Sequence, residues 1–465
     1  MSLSTLIPTR SAELRPVTPR AARVATVHSR LDVLPAPDVP LLDGTRVRYA
    51  NFDYAASAPC SVAAAQAVAE LLPRYTAVHR GAGWPSQQCT RSYEEARDDI
   101  ARFVGARSDD HVIFTRHTTE ATSLLARSLP DRCRVVAFES EHHANLLPWP
   151  NLIRLPAPDS PTAAVRSIAS ALQVLGDDDP VLVAVTGASN VTGELFPIVD
   201  IARVTNRFGA RLLVDAAQLA PHRRIDLASW GADYVVFSGH KLYAPFGTGV
   251  LAGRADWLDA APAHLPGGGA SAYVGDATAD VTWRTGPARH EGGSPNVVGA
   301  VALAAVCRSL SDSTWEQLAS REETLRQRLS AGLSRVSGVR QLHLFGAESE
   351  RVGTVAFTVD GLDAGLVAAA LSAEYGIGVR DGLFCAHPLT RRLTRRSRDF
   401  TGPTRHRRGG RSSDLQAVRA SVGLGSTEDD VDRLIEAVAI LAHDGPGWRY
   451  HLVDGRLAPE NDPRT

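Results

Sequence analysis

Of the 50 basic residues in this 465-residue chain, 49 are arginine and one is lysine, Lys241. A composition that uses arginine wherever charge alone matters leaves that exception to be explained. Arginine, with a pKa above about 12, cannot act as a neutral amine, whereas lysine can. A reaction that needs a nucleophilic primary amine must therefore keep its lysine. The surroundings of Lys241 point the same way. The run Tyr234–Ser238 leads through Gly239 and His240 to Lys241, and the preceding run Arg211–Val214 ends in Asp215, with Gln218 just beyond. In an open α/β sheet, an acid and an amine at the ends of neighbouring strands converge on one crevice.

That pair suits pyridoxal phosphate. Lysine supplies the Schiff-base nitrogen, and a carboxylate keeps the pyridine nitrogen protonated so that the ring serves as an electron sink. A phosphate cradle is also needed. Val112–Thr115 runs through Arg116, His117, Thr118 and Thr119 into a helical stretch, which puts hydroxyls and amides at a positive helix terminus. A lone Asp or Thr in such a place is ordinarily a cap. The three elements in this order are harder to dismiss.

The elements that must position these residues can be read from the apolar pattern. Strands are expected at 112–115, 134–138, 181–186, 211–215 and 234–238. They alternate with helices at 92–104, 119–128, 163–175 and 198–208. Apolar strands between amphipathic helices indicate a parallel sheet covered on both faces. Beyond Trp315 the order changes: a helix at 315–336, then 353–359, a helix at 364–375, a strand at 377–380, and a pair at 418–422 and 427–442. This reads as a smaller α+β domain. The expected division is an N-terminal extension (1–45), a large domain (46–312), a small C-terminal domain (313–445) and a tail (446–465). An Arg-rich insertion spans 390–412; within it, residues 391–411 hold nine arginines and one acid, and a solvated loop is expected.

Composition excludes other classes. Fifty basic residues against 51 acidic ones give no overall affinity for polyanions, and no nucleic-acid partner is expected. The apolar runs are too short to span a bilayer. Five widely spaced cysteines without a CxxC pair suggest neither a disulfide framework nor a metal site, but a reducing, cytoplasmic setting.

The chain resembles the class V aminotransferase group of fold-type I pyridoxal-phosphate enzymes, most of all the type II cysteine desulfurases and selenocysteine lyases. The motifs that carry the resemblance are FDYAASAP (52–59), HRG (79–81), TTE (118–120), EHHAN (141–145), SNVTG (189–193), VDAAQ (214–218), SGHKLYAPFGTG (238–249), EGGSPN (291–296) and RASVGLG (419–425). The resemblance implies an α/β fold with a mostly parallel seven-stranded sheet and a smaller α+β domain. It makes Lys241 the Schiff-base lysine and proton shuttle, Asp215 the partner of the ring nitrogen, and Gln218 a donor to the ring oxygen. His142 would stack on the ring, while His143 keeps a structural role. Thr118, Thr119, Ser238 and His240 would hold the phosphate. Ser294 would reach it from a partner subunit, implying a homodimer with shared active sites. Asn190 would lie near ring and substrate, and Arg419, with Arg380, would bind the carboxylate of an amino acid substrate.

Cys385 decides among reactions. It follows Arg380 by five residues in a Gly-flanked loop, where the desulfurases carry their nucleophile. On that resemblance its thiolate attacks the sulfur of L-cysteine (or the selenium of selenocysteine), keeps it as a persulfide and releases alanine, with a sulfur-acceptor protein as a further partner. The chain also departs from the pattern. Asp381 stands at a usual hydroxyl position, Leu383 and Phe384 at histidine positions, His117 for a glycine and Gly187 for a histidine. These changes keep two alternatives open. One is another class V enzyme (aminotransferase, C–S lyase or epimerase) acting on a different amino acid. The other is a non-catalytic binding protein.

Overall fold

A computed structural model describes residues 32–464, apart from 177, 278 and 400–414. Its centre is a seven-stranded sheet in the spatial order 110–115, 249–254, 234–238, 211–215, 181–186, 134–138, 152–155. Only 249–254 runs against its neighbours; the other pairings within the sheet are parallel. All residues of Val181–Thr186 and Tyr234–Ser238 are buried, as strands covered on both faces must be. The helix Pro161–Leu175 starts where the Ser160 hydroxyl accepts the Ala163 N–H at 3.2 Å, with proline at the first turn. Four of the five expected large-domain strands have the expected bounds, and the first begins two residues earlier, at Asp110.

The small domain is a four-stranded antiparallel sheet ordered 339–342, 354–359, 417–421, 380–382. Helices 315–334, 364–375 and 428–444 pack on it around Leu329, Phe357, Leu371 and Leu434. The strand expected at 377–380 divides in two. Ile377–Gly378 pairs in parallel with Ala50–Asn51, whereas Arg380–Gly382 pairs antiparallel with Ala417–Ser421. The chain thus enters the large domain by way of the small one. Gly376 ends helix 364–375 with φ 65°, and a Cβ there would meet Val47 at 2.5 Å, so this junction requires glycine. The segment expected as a tail holds a hairpin, Tyr450–Val453 with Arg456–Pro459, tied to Glu374 through the Tyr450 hydroxyl at 2.8 Å.

The Arg-rich segment corrects the expectation of a loop. His387–Asp399 is a helix, and the rest of the segment, 400–411, lies outside the described residues. Leu389 and Leu393, four apart, are buried with Thr390 and Thr394 between and beside them, while Arg391, Arg395 and Arg396 are exposed. The arginines hid an amphipathic period.

Glu194 ties the two domains. It is fully buried and accepts from the Leu344, Phe345 and Gly346 amides, the Thr192 hydroxyl and Arg351. This closes the turn that carries Asn190. Among the described residues no single helix is long and apolar enough to cross a membrane.

Candidate active site

The site lies beyond the carboxyl ends of the large sheet, where the small domain covers it. Lys241 stands three residues past the strand Tyr234–Ser238, and its amine makes no hydrogen bond or ion pair with a described residue. Burial brings its pKa down to about 8, Asp215 and Cys385 pull it upward, and Arg419 lowers it further. Asp215 ends the next strand, is 3% exposed, and accepts the Ala217 N–H at 2.9 Å. Burial raises its pKa against that hydrogen bond and Lys241. An amine without an acceptor beside a buried carboxyl with one donor fits a group that brings a carbonyl carbon to the first and a ring N–H to the second. On this observation the residues present fit the expected cofactor.

His142 begins the short helix His143–Leu146. Its Nδ1 accepts the Ala144 N–H at 3.0 Å, which leaves the proton of the neutral ring on Nε2. Burial, then Lys241, His143 and Arg419, lower its pKa to about 3, so the imidazole is neutral. His143, for which a structural role was expected, packs its ring edge-on against His387 with centroids 4.4 Å apart, and its backbone N–H donates to the Cys385 carbonyl at 2.8 Å.

Glu141, just before these histidines, is fully buried. Burial raises its pKa to about 8, opposed by hydrogen bonds from Asn145 at 2.8 Å and the Thr186 amide at 3.1 Å and reinforced by Asp215. The folded value lies above the ordinary 4.5. The stability it contributes is therefore complete below about pH 4.5 and is lost as pH rises through about 8. Glu141→Gln cancels this dependence. Thermal denaturation between about pH 5 and pH 8 should show the wild type losing on the order of a few kcal/mol relative to the variant. A difference that stays flat with pH contradicts a protonated Glu141.

The expected phosphate end lies at helix Thr118–Arg127. The Ser238 hydroxyl accepts the Thr118 N–H at 2.8 Å and shares a hydrogen bond with its hydroxyl at 2.6 Å, so this buried pair makes a wall. Thr119, next along, is exposed. His117, where a glycine was expected from the resemblance, caps the helix by accepting the Glu120 N–H on Nδ1 at 3.2 Å. His240 is kept neutral by burial, Lys241 and His117, which lower its pKa to about 4. The chain can pass so close only because residue 249 is glycine: a Cβ there would lie 2.6 Å from the His117 Cα.

Above the amine lies the loop of Cys385, the one cysteine of five that is exposed. Phe384 and Cys385 have φ values of 52° and 51°, a left-handed pair that costs non-glycine residues roughly 1–2 kcal/mol each. Two anchors offset this cost: the Asn190 amide donates to the Phe384 carbonyl at 2.7 Å, and His143 holds that of Cys385. Asn190, expected near ring and substrate, is found anchoring the loop of the thiol.

Arg419, on the strand Ala417–Ser421, donates from Nη1 to the Asn190 carbonyl at 2.8 Å and from Nη2 to Asp53 at 3.3 Å, while its buried Nε has no partner. Arg380 meets the other Asp53 oxygen at 3.0 Å. Sequence reasoning assigned no role to Asp53, although it lies within the FDYAASAP motif. Gln218 donates one amide hydrogen to the Ala55 carbonyl at 2.6 Å, leaving the other for a ring oxygen. Ser294 is not brought to the cradle by its own chain. It is exposed on a turn whose Gly292 lies against Leu265 and whose Gly293 N–H donates to the Gly268 carbonyl at 2.6 Å. Among the described residues no group of three or more His, Cys, Asp or Glu could hold a metal ion.

Comparison with known proteins gives a consistent result. The family described as aminotransferase class-V matches residues 50–434. The chain is 33% identical over 400 residues to a probable cysteine desulfurase of Halalkalibacterium halodurans, and 34% identical over 400 residues to a cysteine desulfurase of Cronobacter sakazakii. Each alignment covers 83% of this chain and 91% of the relative. Among solved structures, the cysteine desulfurase CsdA of Escherichia coli superposes with a TM-score of 0.70 at 28% identity, covering 84% of this chain and 94% of the other. The cysteine desulfurase of Thermococcus onnurineus superposes with a TM-score of 0.73 at 28% identity, covering 85% and 94%.

Proposed function

The chain belongs to the class V aminotransferase family as a cysteine desulfurase-like enzyme, and we propose that it takes the sulfur of L-cysteine onto Cys385 and releases alanine. The observation that carries this reading is the setting of Cys385. The single exposed thiol is anchored through Asn190 and His143 beside the unpaired Lys241 amine.

Pyridoxal phosphate, held through Lys241, Asp215, His142 and Gln218 with its phosphate at Thr118, Thr119, Ser238 and His240, would supply an electron sink at the substrate α-carbon. The chain's own groups do the rest. Arg419 and Arg380 receive the substrate carboxylate, with the unpartnered Nε of Arg419 as a ready donor. Lys241, brought down to about 8, is close enough to neutrality to take the α-proton and return it. His142, neutral with its proton on Nε2, presents a ring face without added charge. The Cys385 thiolate attacks the substrate sulfur. An S–S bond forms as the Cβ–S bond breaks, and the electron pair of the broken bond takes up a proton at Cβ. Cysteine and thiol thus become alanine and persulfide, with no outside oxidant.

The exposure of Cys385 makes the persulfide accessible to a thiol-bearing acceptor protein. A homodimer with shared sites is the second part of the proposal. Its support is the exposed Ser294 together with the exposed apolar Trp84, Leu265, Tyr273 and Val274. Five free cysteines suit a reducing compartment such as the cytoplasm.

The test is steady-state alanine release from a panel of L-amino acids given to the cofactor-loaded protein with a reductant. L-cysteine is expected to exceed L-serine and L-alanine derivatives lacking sulfur or selenium by at least about a hundredfold in kcat/KM. Transamination of a bulkier amino acid at a higher rate would overturn the reading.

A further inference from the structure

The carboxylate clamp contains a built-in anion. Arg380 and Arg419 face each other directly across the antiparallel strands 380–382 and 417–421. Like charges in that position repel and need a neutralising partner. Asp53 is that partner, with Oδ2 3.0 Å from Arg380 and Oδ1 3.3 Å from Arg419. It comes from the segment that crosses between the domains, and its backbone is fixed by the Asn51 side chain at 2.9 Å and by a bridge to Ser421. The clamp therefore holds two cations and one resident anion, a net charge of plus one. Arg419 is also closed from one side, since the Phe384 ring lies over its guanidinium at 5.1 Å. The one nitrogen of Arg419 without a hydrogen-bond partner is its buried Nε.

We propose that Asp53 and Phe384 are the specificity-determining residues of this clamp, which admits amino acids bearing one carboxylate and rejects those with a second anionic group on the side chain. The clamp's net positive charge is used once, by the α-carboxylate. A second anion near Arg380 meets the Asp53 carboxylate instead of a free cation, and Phe384 denies it the open face of Arg419. Rejection by an unfavourable charge is a common route to selectivity. The inference rests on the reading of Arg419 and Arg380 as the carboxylate site, but it does not require that sulfur be the atom transferred.

The experiment measures equilibrium binding of L-serine and L-aspartate, similar in size but different in charge, to the cofactor-loaded protein through the change in its visible absorbance. Neither probe carries sulfur, so a failure of the desulfurase reading leaves the measurement intact. The wild type is expected to bind L-serine at least tenfold more tightly than L-aspartate. Asp53→Asn should tighten L-aspartate about tenfold more than it tightens L-serine. Phe384→Leu, which uncovers the guanidinium, should move L-aspartate in the same direction by a smaller factor. Equal tightening of both ligands by Asp53→Asn would show a competitor for the clamp rather than a discriminator and overturn the proposal. Should loss of a partner for buried Arg419 unfold Asp53→Asn, the half-exposed Arg380 carries the test. Arg380→Gln removes the net charge and should weaken L-serine about tenfold, and unchanged binding of both amino acids would contradict the charge balance.

Discussion

Lys241→Ala is expected to fold and to turn over no amino acid, a loss of at least about ten-thousand-fold. No other described group can take its place. The remaining cations are 49 arginines, which do not release a proton in this range. His142 feels the Lys241 charge, but burial has lowered its pKa to about 3, and its Nδ1 already accepts a backbone amide. Folding should not suffer, because the amine has no partner and its removal relieves a desolvation cost. The variant should also lose the visible absorbance that a lysine-linked cofactor shows. Alanine release from L-cysteine, measured with that spectrum, decides the matter. Residual activity above about one per cent would assign the proton transfer to another residue.

Cys385→Ser should separate binding from chemistry. Serine is nearly isosteric and exposed at a loop position with φ 51°, so the anchors from Asn190 and His143 to the loop carbonyls remain. Cofactor absorbance and L-serine affinity should stay within about twofold of the wild type. Sulfur transfer should fall by about a thousandfold or more, because a hydroxyl offers neither the thiolate population nor the sulfur nucleophilicity of cysteine. The other cysteines cannot substitute: Cys89, Cys133 and Cys307 are buried, and burial raises the thiols of Cys60, Cys133 and Cys307. Unchanged alanine release by this variant would leave an enzyme of the same fold with a different reaction.

What could be read in the sequence followed from local pattern. The strands 134–138, 181–186, 211–215 and 234–238 were legible because burial on both faces makes them continuous apolar runs. Their carboxyl ends located Asp215, Ser238 and Lys241 at once. Strand Gly249–Arg254 escaped because two glycines dilute its apolar signal, and Leu152–Leu155 because it is a short edge strand. The helix expected from Ser92 begins at Trp84, since its polar first turns show no apolar face, although Gly83 and Pro85 mark its start. Charge concealed the period of the helix His387–Asp399. The clamp was legible in part. Arg419 and Arg380 stood in recognisable motifs, but Asp53 reaches Arg419 across 366 residues of sequence, and no local spacing reports such a pairing. The stacking of Phe384 on Arg419 is likewise a tertiary contact.

A single turnover of the cofactor-loaded protein with L-cysteine, without reductant or acceptor, should be quenched and the peptide containing Cys385 weighed while alanine is counted. The expected result is one alanine per active site, with one additional sulfur atom on Cys385 and none on the other four cysteines. Alanine formed in that amount while Cys385 remains an unmodified thiol would contradict Cys385 as the sulfur nucleophile.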